Sequence, residues 1–278
     1  MSDDIFIPPQ KTFSELDVWS WYNNLPKEIE LLDLSSTELE SVKYYYQEAG
    51  LLNPAKKGFF RHHFSKTFYS AAVFLLDKEK NTPTVLDLGA GSGTQSLFFA
   101  IQGANVIVLD MDTVALGILR KRKAFYEKKL GRTLNINIYE QNVFDFKLTD
   151  SGKIDAVYSL FAFNMMQPSS NLIGGLMQYL SKDARFCVLD GNKSSLTNNL
   201  IYSRRRPNIW SPREFSKELR KQGFKVIEHS GGISLPPIFW RLPTCYKISS
   251  LFDKIISQSW FFPISHQIMA QLSLPDSE

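Results

Sequence analysis

The chain has 278 residues, 44% hydrophobic and 22% charged, with a formal net charge of +4, which suits one large α/β domain with additions or two small domains. Its two cysteines, Cys187 and Cys245, exclude a disulfide scaffold and a cysteine-rich zinc site and fit a reducing cytoplasm. No apolar run reaches the roughly eighteen residues of a transmembrane helix, and the acidic, Pro-broken start "MSDDIFIPPQ" is unlike a signal peptide.

Residues 1–80 read as a helical extension. "SSTELESVKYYYQEAG" carries a Ser35/Glu38 capping box and a Gly50 stop, and "FSKTFYSAAVFLLDKEK" is a second helix. From residue 84 a strand–helix rhythm begins. "TVLDL" (84–88) is a strand, followed by a glycine turn and the helix "TQSLFFAIQG". "NVIVLD" (105–110) is the next strand, then a helix over 113–131 capped at Thr113 and stopped at Gly131. Its "RKRK" run (Arg120 to Lys123) is expected to be a solvated helix face. "LNINIYEQ" alternates as a strand, "KIDAVYSLF" (153–161) is another, "NLIGGLMQYLS" is a helix and "ARFCVLDG" (184–191) a fifth strand. "SPREFSKELRKQGF" is a helix with Ser211 as N-cap, Pro212 in the first turn and Glu214 closing a capping box. "KVIEHS" (225–230) is a sixth strand, and "HQIMAQLSL" (266–274) alternates only in part, as a seventh. Such alternation predicts a mostly parallel sheet with helices on both faces.

The turn "VLDLGAGSGT" narrows the ligand. A dinucleotide turn needs G-x-G-x-x-G, but Gly89, Gly91 and Gly93 are followed by Thr94 at the last position. Asp87 at the strand end would oppose a pyrophosphate and suit a cationic group. Asp110, at the tip of the second strand, is placed to take ribose hydroxyls. Two acids and a glycine turn without phosphate chemistry fit S-adenosylmethionine (SAM) better than NAD.

The stretch "VLDLGAGSGTQSLFFAIQGANVIVLDMD" resembles the class I SAM-dependent methyltransferases, in order and register, and the likeness extends over roughly residues 60 to 230. By that resemblance Asp87, Gly89, Ala90, Gly91 and Gly93 line the methionine and ribose side, Asp110 binds the ribose hydroxyls and Met111 packs on the adenine. In "EQNVFDF", Asn142 occupies the position of the family's adenine-binding acid, with Asp145 as a rival, and Val143 offers its backbone NH.

Ligands in such a sheet sit at the carboxyl ends of the strands, so "YSLFAFNMMQP" (158–168) borders the transferred methyl group. Enzymes that methylate exocyclic amines carry [D/N]-P-P-[Y/F] there. "FNMMQP" lacks it, which counts against a nucleic-acid target. Leu160 and Phe161 are expected against the cofactor, with Phe161 and Asn164 on the acceptor side; packing at a strand end is the plain alternative. In "KGFFRHHFSKTF", Arg61 is a candidate partner for the SAM carboxylate, and His62 and His63, with Asn164, are catalytic candidates. For Arg61, His62 and His63 the plain alternative, and the favoured one, is a surface place on a helix. His229 and His266 lie in strands and read as structural, and no metal-ligand spacing is present.

Downstream, "VLDGNKSSLTNNLIYSRRRPNIWSPREF" is similar to a bacterial subgroup acting on small metabolites, lipids or saccharide precursors. That resemblance makes Asn192, Tyr202, Arg204 and Arg205 acceptor-side candidates. The aromatic stretch 236–264, a helical insertion with Trp240 toward the acceptor, walls the pocket, lies on a membrane or forms a small core or homodimer interface. The resulting expectation is a cytoplasmic α/β protein with a Rossmann-like, doubly wound seven-stranded sheet. It has a helical lid over 1–80, a SAM-binding domain over 81–278, and methyl transfer to an O or N atom of a small, partly apolar acceptor. The alternatives are an RNA or protein methyltransferase using the basic runs, a SAM-binding regulator without catalysis, and a peripheral lipid methyltransferase.

Overall fold

A computed structural model describes residues 5–48, 61–76, 82–148, 153–196, 210–233 and 265–273, with Ser259 and Pro263. Seven strands form one sheet: β1 (Thr84–Leu88), β2 (Asn105–Asp110), β3 (Ile136–Glu140), β4 (Ile154–Leu160), β5 (Leu180–Gly191), β6 (Phe224–Ile233) and β7 (Ser265–Leu272). The order is β3-β2-β1-β4-β5-β7-β6. Strands β1 to β5 pair in parallel, whereas β7 runs antiparallel to both β5 and β6. The order reverses beside β1, which lies between β2 and β4. A crevice therefore opens there at the carboxyl ends.

Strand alternation divides the interior into two cores. Val85, Val106, Val108, Ala156, Tyr158 and Cys187 face one way, and Leu86, Leu88, Ile107, Leu109, Val157, Phe186 and Val188 the other. The first face is covered by α1 (Glu15–Asn23), α4 (Lys66–Leu75), α5 (Thr94–Ile101) and α6 (Thr113–Leu130). The second is covered by α7 (Ser169–Leu176) and α8 (Pro212–Lys221). Strand β7 is buried almost throughout because it lies between β5 and β6, which explains why its sequence alternates only in part.

The N-terminal segment holds two helices that the sequence reading did not anticipate, α1 and α2 (Leu25–Leu31), before the expected α3 (Ser36–Glu48). Helix α1 starts in a capping box between Ser14 and Asp17. Its Val18, Trp21 and Tyr22, with Leu25 beyond, enter the same core as Val85 and Phe98. Ser35 and Glu38 exchange the expected capping bonds, as do Ser211 and Glu214. Helix α6 is capped one residue earlier than expected: Asp112, not Thr113, accepts from the Ala115 NH.

The "RKRK" run is solvated at Arg120 and Lys121, as expected, and half-buried at Lys123, but Arg122 departs from it. Arg120 meets Glu140, Lys121 meets Glu38 and Lys123 meets Glu127, while Arg122 is buried against Glu28. His229 and His266 lie on β6 and β7 with ring centroids 5.9 Å apart. Burial holds their pKa values down, to about 4 and about 3, so both are neutral at physiological pH. Among the described residues no helix is long and apolar enough to cross a membrane. The "RRR" run with Tyr202, Arg204 and Arg205, and Trp240 with the expected 236–264 insertion apart from Ser259 and Pro263, lie outside the described residues.

Candidate active site

A cavity of about 860 Å³ opens at the crevice between β1 and β4. Its floor is the glycine turn after β1, one wall the ends of β2 and β3, and the other wall the segment after β4. The turn is held by its own amides. Gly89 N donates to Leu109 O at 2.8 Å, Gly93 N to Ala90 O at 2.9 Å and Gly91 N to Asp110 Oδ2 at 2.7 Å. These three donors are engaged inside the protein, so they do not form the open cradle of amides that a pyrophosphate takes.

Two glycines are demanded by what they touch. At Gly89 (φ +69°) a Cβ would come within 2.2 Å of Ala162 Cβ, so this residue lets the segment after β4 close onto the turn. At Gly93 (φ +72°) a Cβ would come within 2.2 Å of Leu119 Cδ1. Gly93 is the N-cap of α5 and does not line the cavity. Its lack of a side chain lets the turn pack closely on α6.

Asp110 Oδ1 accepts from Asp112 N at 2.9 Å while Oδ2 takes the Gly91 amide, which fixes the carboxylate at the cavity edge. A carboxylate has about four acceptor sites, so this one keeps capacity for ligand hydroxyls. Asp87 is only 2% exposed and receives Ser96 Oγ at 2.5 Å. Burial, reinforced by Asp110 and opposed by the Ser96 bond, raises its pKa to about 7. Asp87, Asp110 and Asp112 are the charged residues among the described cavity lining, with no basic side chain beside them. Such a site favours a cationic ligand.

Met111 is 67% exposed at the rim, beside Val143 and Phe144. Asn142 lines the same wall and Asp145 does not. The Asn142 Oδ1 caps the following turn, accepting from Phe144 N at 3.0 Å. On the opposite wall stand Leu160, Phe161, Ala162, Met165, Met166 and Gln167. Phe161 has φ +54°, a sparsely populated conformation for a bulky residue. Its amide is tied to Leu189 O at 2.8 Å and its ring lies 5.8 Å from that of Phe64.

The expected residues divide. Asp87, Gly89, Ala90, Gly91, Asp110, Met111, Asn142, Val143, Leu160 and Phe161 converge on the cavity. Asn164 does not line it. Its Nδ2 donates to Gly191 O at 3.3 Å and its Oδ1 accepts from Trp210 N at 3.1 Å, so it braces the β4 and β5 ends. Asn192 is fully buried, donating to Pro263 O and accepting from Ser194 N, both at 2.9 Å. His63 is 3% exposed and lies outside the lining, in a π-helical turn (Arg61–Ser65). The side chains of Arg61 and His62 in that turn fall outside the described residues.

Tyr22, Phe64, Ser92, Gln95 and Phe144 also line the cavity, and sequence reasoning missed them; Met165 and Met166 belong to the 158–168 segment expected there, and Asp112 lines it while capping α6. A signal existed for Tyr22: Val18, Trp21, Tyr22 and Leu25 follow i, i+3, i+4, i+7 spacing.

Residues 60–229, more than half of the chain, match a family model described as a methyltransferase domain. No curated protein matches the chain in sequence. Among solved structures, it is similar to the magnesium protoporphyrin IX methyltransferase of Synechocystis PCC 6803 with bound SAM, at 17% identity and TM-score 0.55, over 95% of this chain and 100% of that one. The plantazolicin methyltransferase in complex with S-adenosylhomocysteine (SAH) aligns at 12% identity and TM-score 0.52, over 94% and 98%. A putative SAM-dependent methyltransferase of Listeria monocytogenes aligns at 14% identity and TM-score 0.53, over 77% and 100%. The family match leads to one conclusion, with which the sheet and the acidic cavity at its topological switch agree: the chain belongs to the methyltransferase domain family, and its fold is that of solved SAM-dependent methyltransferases.

Proposed function

We propose that the enzyme methylates an O or N atom of a small, partly apolar acceptor that enters over the wall after β4. The observation that carries this reading is the division of one cavity into an acidic half, with Asp87 and Asp110, and an apolar half, with Phe64, Leu160, Phe161 and Met166. When bound, SAM supplies an electrophilic methyl group on a sulfonium. Asp110 is the residue to hold the ribose hydroxyls. Met111 and Val143 flank the place for the adenine, with Asn142 at its edge. Asp87 sets negative charge beneath the cationic amino-acid portion.

The residues of the apolar half orient the acceptor and exclude water, and holding two reactants in line supplies much of the rate of such a displacement. Phe161, turned by its left-handed backbone, and Phe64 give an acceptor with an apolar body somewhere to lie. The ion pairs made by each member of the "RKRK" run support a small acceptor over a nucleic acid. The similar structures act on acceptors as different as magnesium protoporphyrin IX and plantazolicin, so their common fold does not choose one.

The test pairs calorimetry with SAH and a transfer screen with radiolabelled SAM over small amphiphilic alcohols, acids and amines, with RNA as a further arm. SAH binding with transfer to a small compound supports the proposal. Binding with transfer to RNA alone overturns the acceptor class, and absence of SAH binding overturns the cavity assignment.

A further inference from the structure

The glycine turn is gripped from behind by a buried network that reaches the N-terminal segment. Arg122 of α6 is 2% exposed. Its Nη1 donates to Ser92 O and to Thr94 Oγ1, each at 2.8 Å. Its Nε and Nη2 donate to Glu28 Oε1 at 2.5 Å and Oε2 at 3.1 Å. Glu28 belongs to α2, is 1% exposed, and also accepts from Tyr126 OH at 2.9 Å. Helix α1 adds two further ties: Trp21 Nε1 donates to Thr94 O at 3.0 Å, and Gln95 Nε2 donates to Tyr22 OH at 2.9 Å.

We propose that Arg122 is the positioning residue of the glycine turn and that Glu28 sets its orientation, so that cofactor affinity is governed from the N-terminal helices. The inference rests on the reading of the cavity as the SAM site. Ser92 and Thr94 bracket Gly93, and a glycine-rich turn has many conformations to lose on ordering. A guanidinium is a rigid planar fork. Two of its nitrogens are fixed by Glu28, so the third reaches both sides of Gly93 in one geometry. That holds the turn, with Ser92 and Gln95 in the cavity lining, in its ligand-ready form before the ligand arrives. A lysine at 122 keeps the charge and loses the fork. A buried ion pair that served stability alone would leave the turn's affinity for its ligand unchanged.

The experiment compares wild type, Arg122→Lys, Glu28→Gln and Thr94→Val, the last of which removes one Arg122 acceptor and leaves the ion pair in place. Readouts are the Kd for SAH, KM for SAM and kcat, the melting temperature of the empty protein, and amide exchange over residues 89–95. Arg122→Lys is expected to raise the Kd for SAH about tenfold and Thr94→Val about fivefold. KM for SAM rises in step while kcat at saturating SAM stays within about twofold, the pattern of a lost uniform-binding contribution. Amide exchange in the turn accelerates in the empty variants. A lower melting temperature with an unchanged Kd for SAH overturns the proposal. Should Arg122→Lys fail to fold, Thr94→Val decides on the same criterion. If wild type binds SAH and Asp110→Ala does not, while Arg122→Lys and Thr94→Val bind as wild type, this inference alone falls. If wild type does not bind SAH, the reading beneath it falls as well.

Discussion

Asp87→Asn isolates the electrostatics of the cofactor half. The carboxyl sits at the end of β1, 2% exposed, with Ser96 Oγ on one oxygen, and burial lifts its pKa from 3.8 to about 7. At about 1.4 kcal/mol for each pH unit, keeping it ionised in the empty fold costs about 4 kcal/mol relative to the unfolded chain. The folded state binds the extra proton between pH 4 and pH 7. The stability of the empty protein therefore falls as pH rises through that window and levels off above it. Asparagine has the same shape, can still accept from Ser96, and has no charge to desolvate. Urea unfolding should give an empty Asp87→Asn protein that lacks this descent and is more stable than wild type at pH 8, by up to about 4 kcal/mol. The advantage should vanish toward pH 4. A cationic ligand reverses the balance, because it stabilises the ionised form. Wild-type affinity for SAM should fall by up to about tenfold for each pH unit below 7, and Asp87→Asn should bind more weakly at pH 8 with no such slope. Equal pH profiles for the two proteins, in stability and in binding, would refute the reasoning.

Asp110→Ala removes the acceptor proposed for the ribose and loosens Gly91, so calorimetry should show SAH affinity reduced by about 100-fold or more, since two hydrogen bonds to a charged group are worth at least about 3 kcal/mol. Gly93→Ala combines left-handed strain of about 1–2 kcal/mol with a collision against Leu119, an overpacking penalty of about 1–3 kcal/mol. Denaturant unfolding should show a smaller loss when the same change is made in a Leu119→Ala background. Phe161→Ala should lower kcat/KM for the acceptor found by screening about tenfold or more while SAH affinity stays within about threefold. Steady-state kinetics beside calorimetry separates the two effects.

The sheet was legible because its strands are short apolar runs punctuated by glycine, and the convergence of Asp87, Gly89, Gly91 and Asp110 on one cavity because they stand at fixed distances from strand ends. Helix α1 was missed because Asp17 replaces the Glu or Gln usual in a capping box, and because the exposed Leu16 interrupts its polar face. Asn164 is expected on the acceptor side because it follows a strand end, and Asn192 by the subgroup resemblance. A one-dimensional reading does not distinguish a polar side chain aimed at a ligand from one aimed at the neighbouring loop, and both are braces. Arg122 was readable in principle. It shares the helical face of Ala115, Leu119 and Tyr126, all buried, and so points inward despite its basic neighbours. What no spacing could supply was its partner, since Glu28 lies on a helix whose docking follows from tertiary packing.

The central claim is that one cavity, between the β1 turn and the segment after β4, holds the cofactor on its acidic side and the acceptor on its apolar side. A crystal structure of the wild-type protein with SAH tests it most directly. The account predicts ribose hydroxyls within hydrogen-bond reach of Asp110, the adenine between Met111 and Val143, and the sulfur directed toward Leu160 and Phe161. An SAH molecule seated elsewhere, or in this cavity with its sulfur turned away from Phe161, would contradict it.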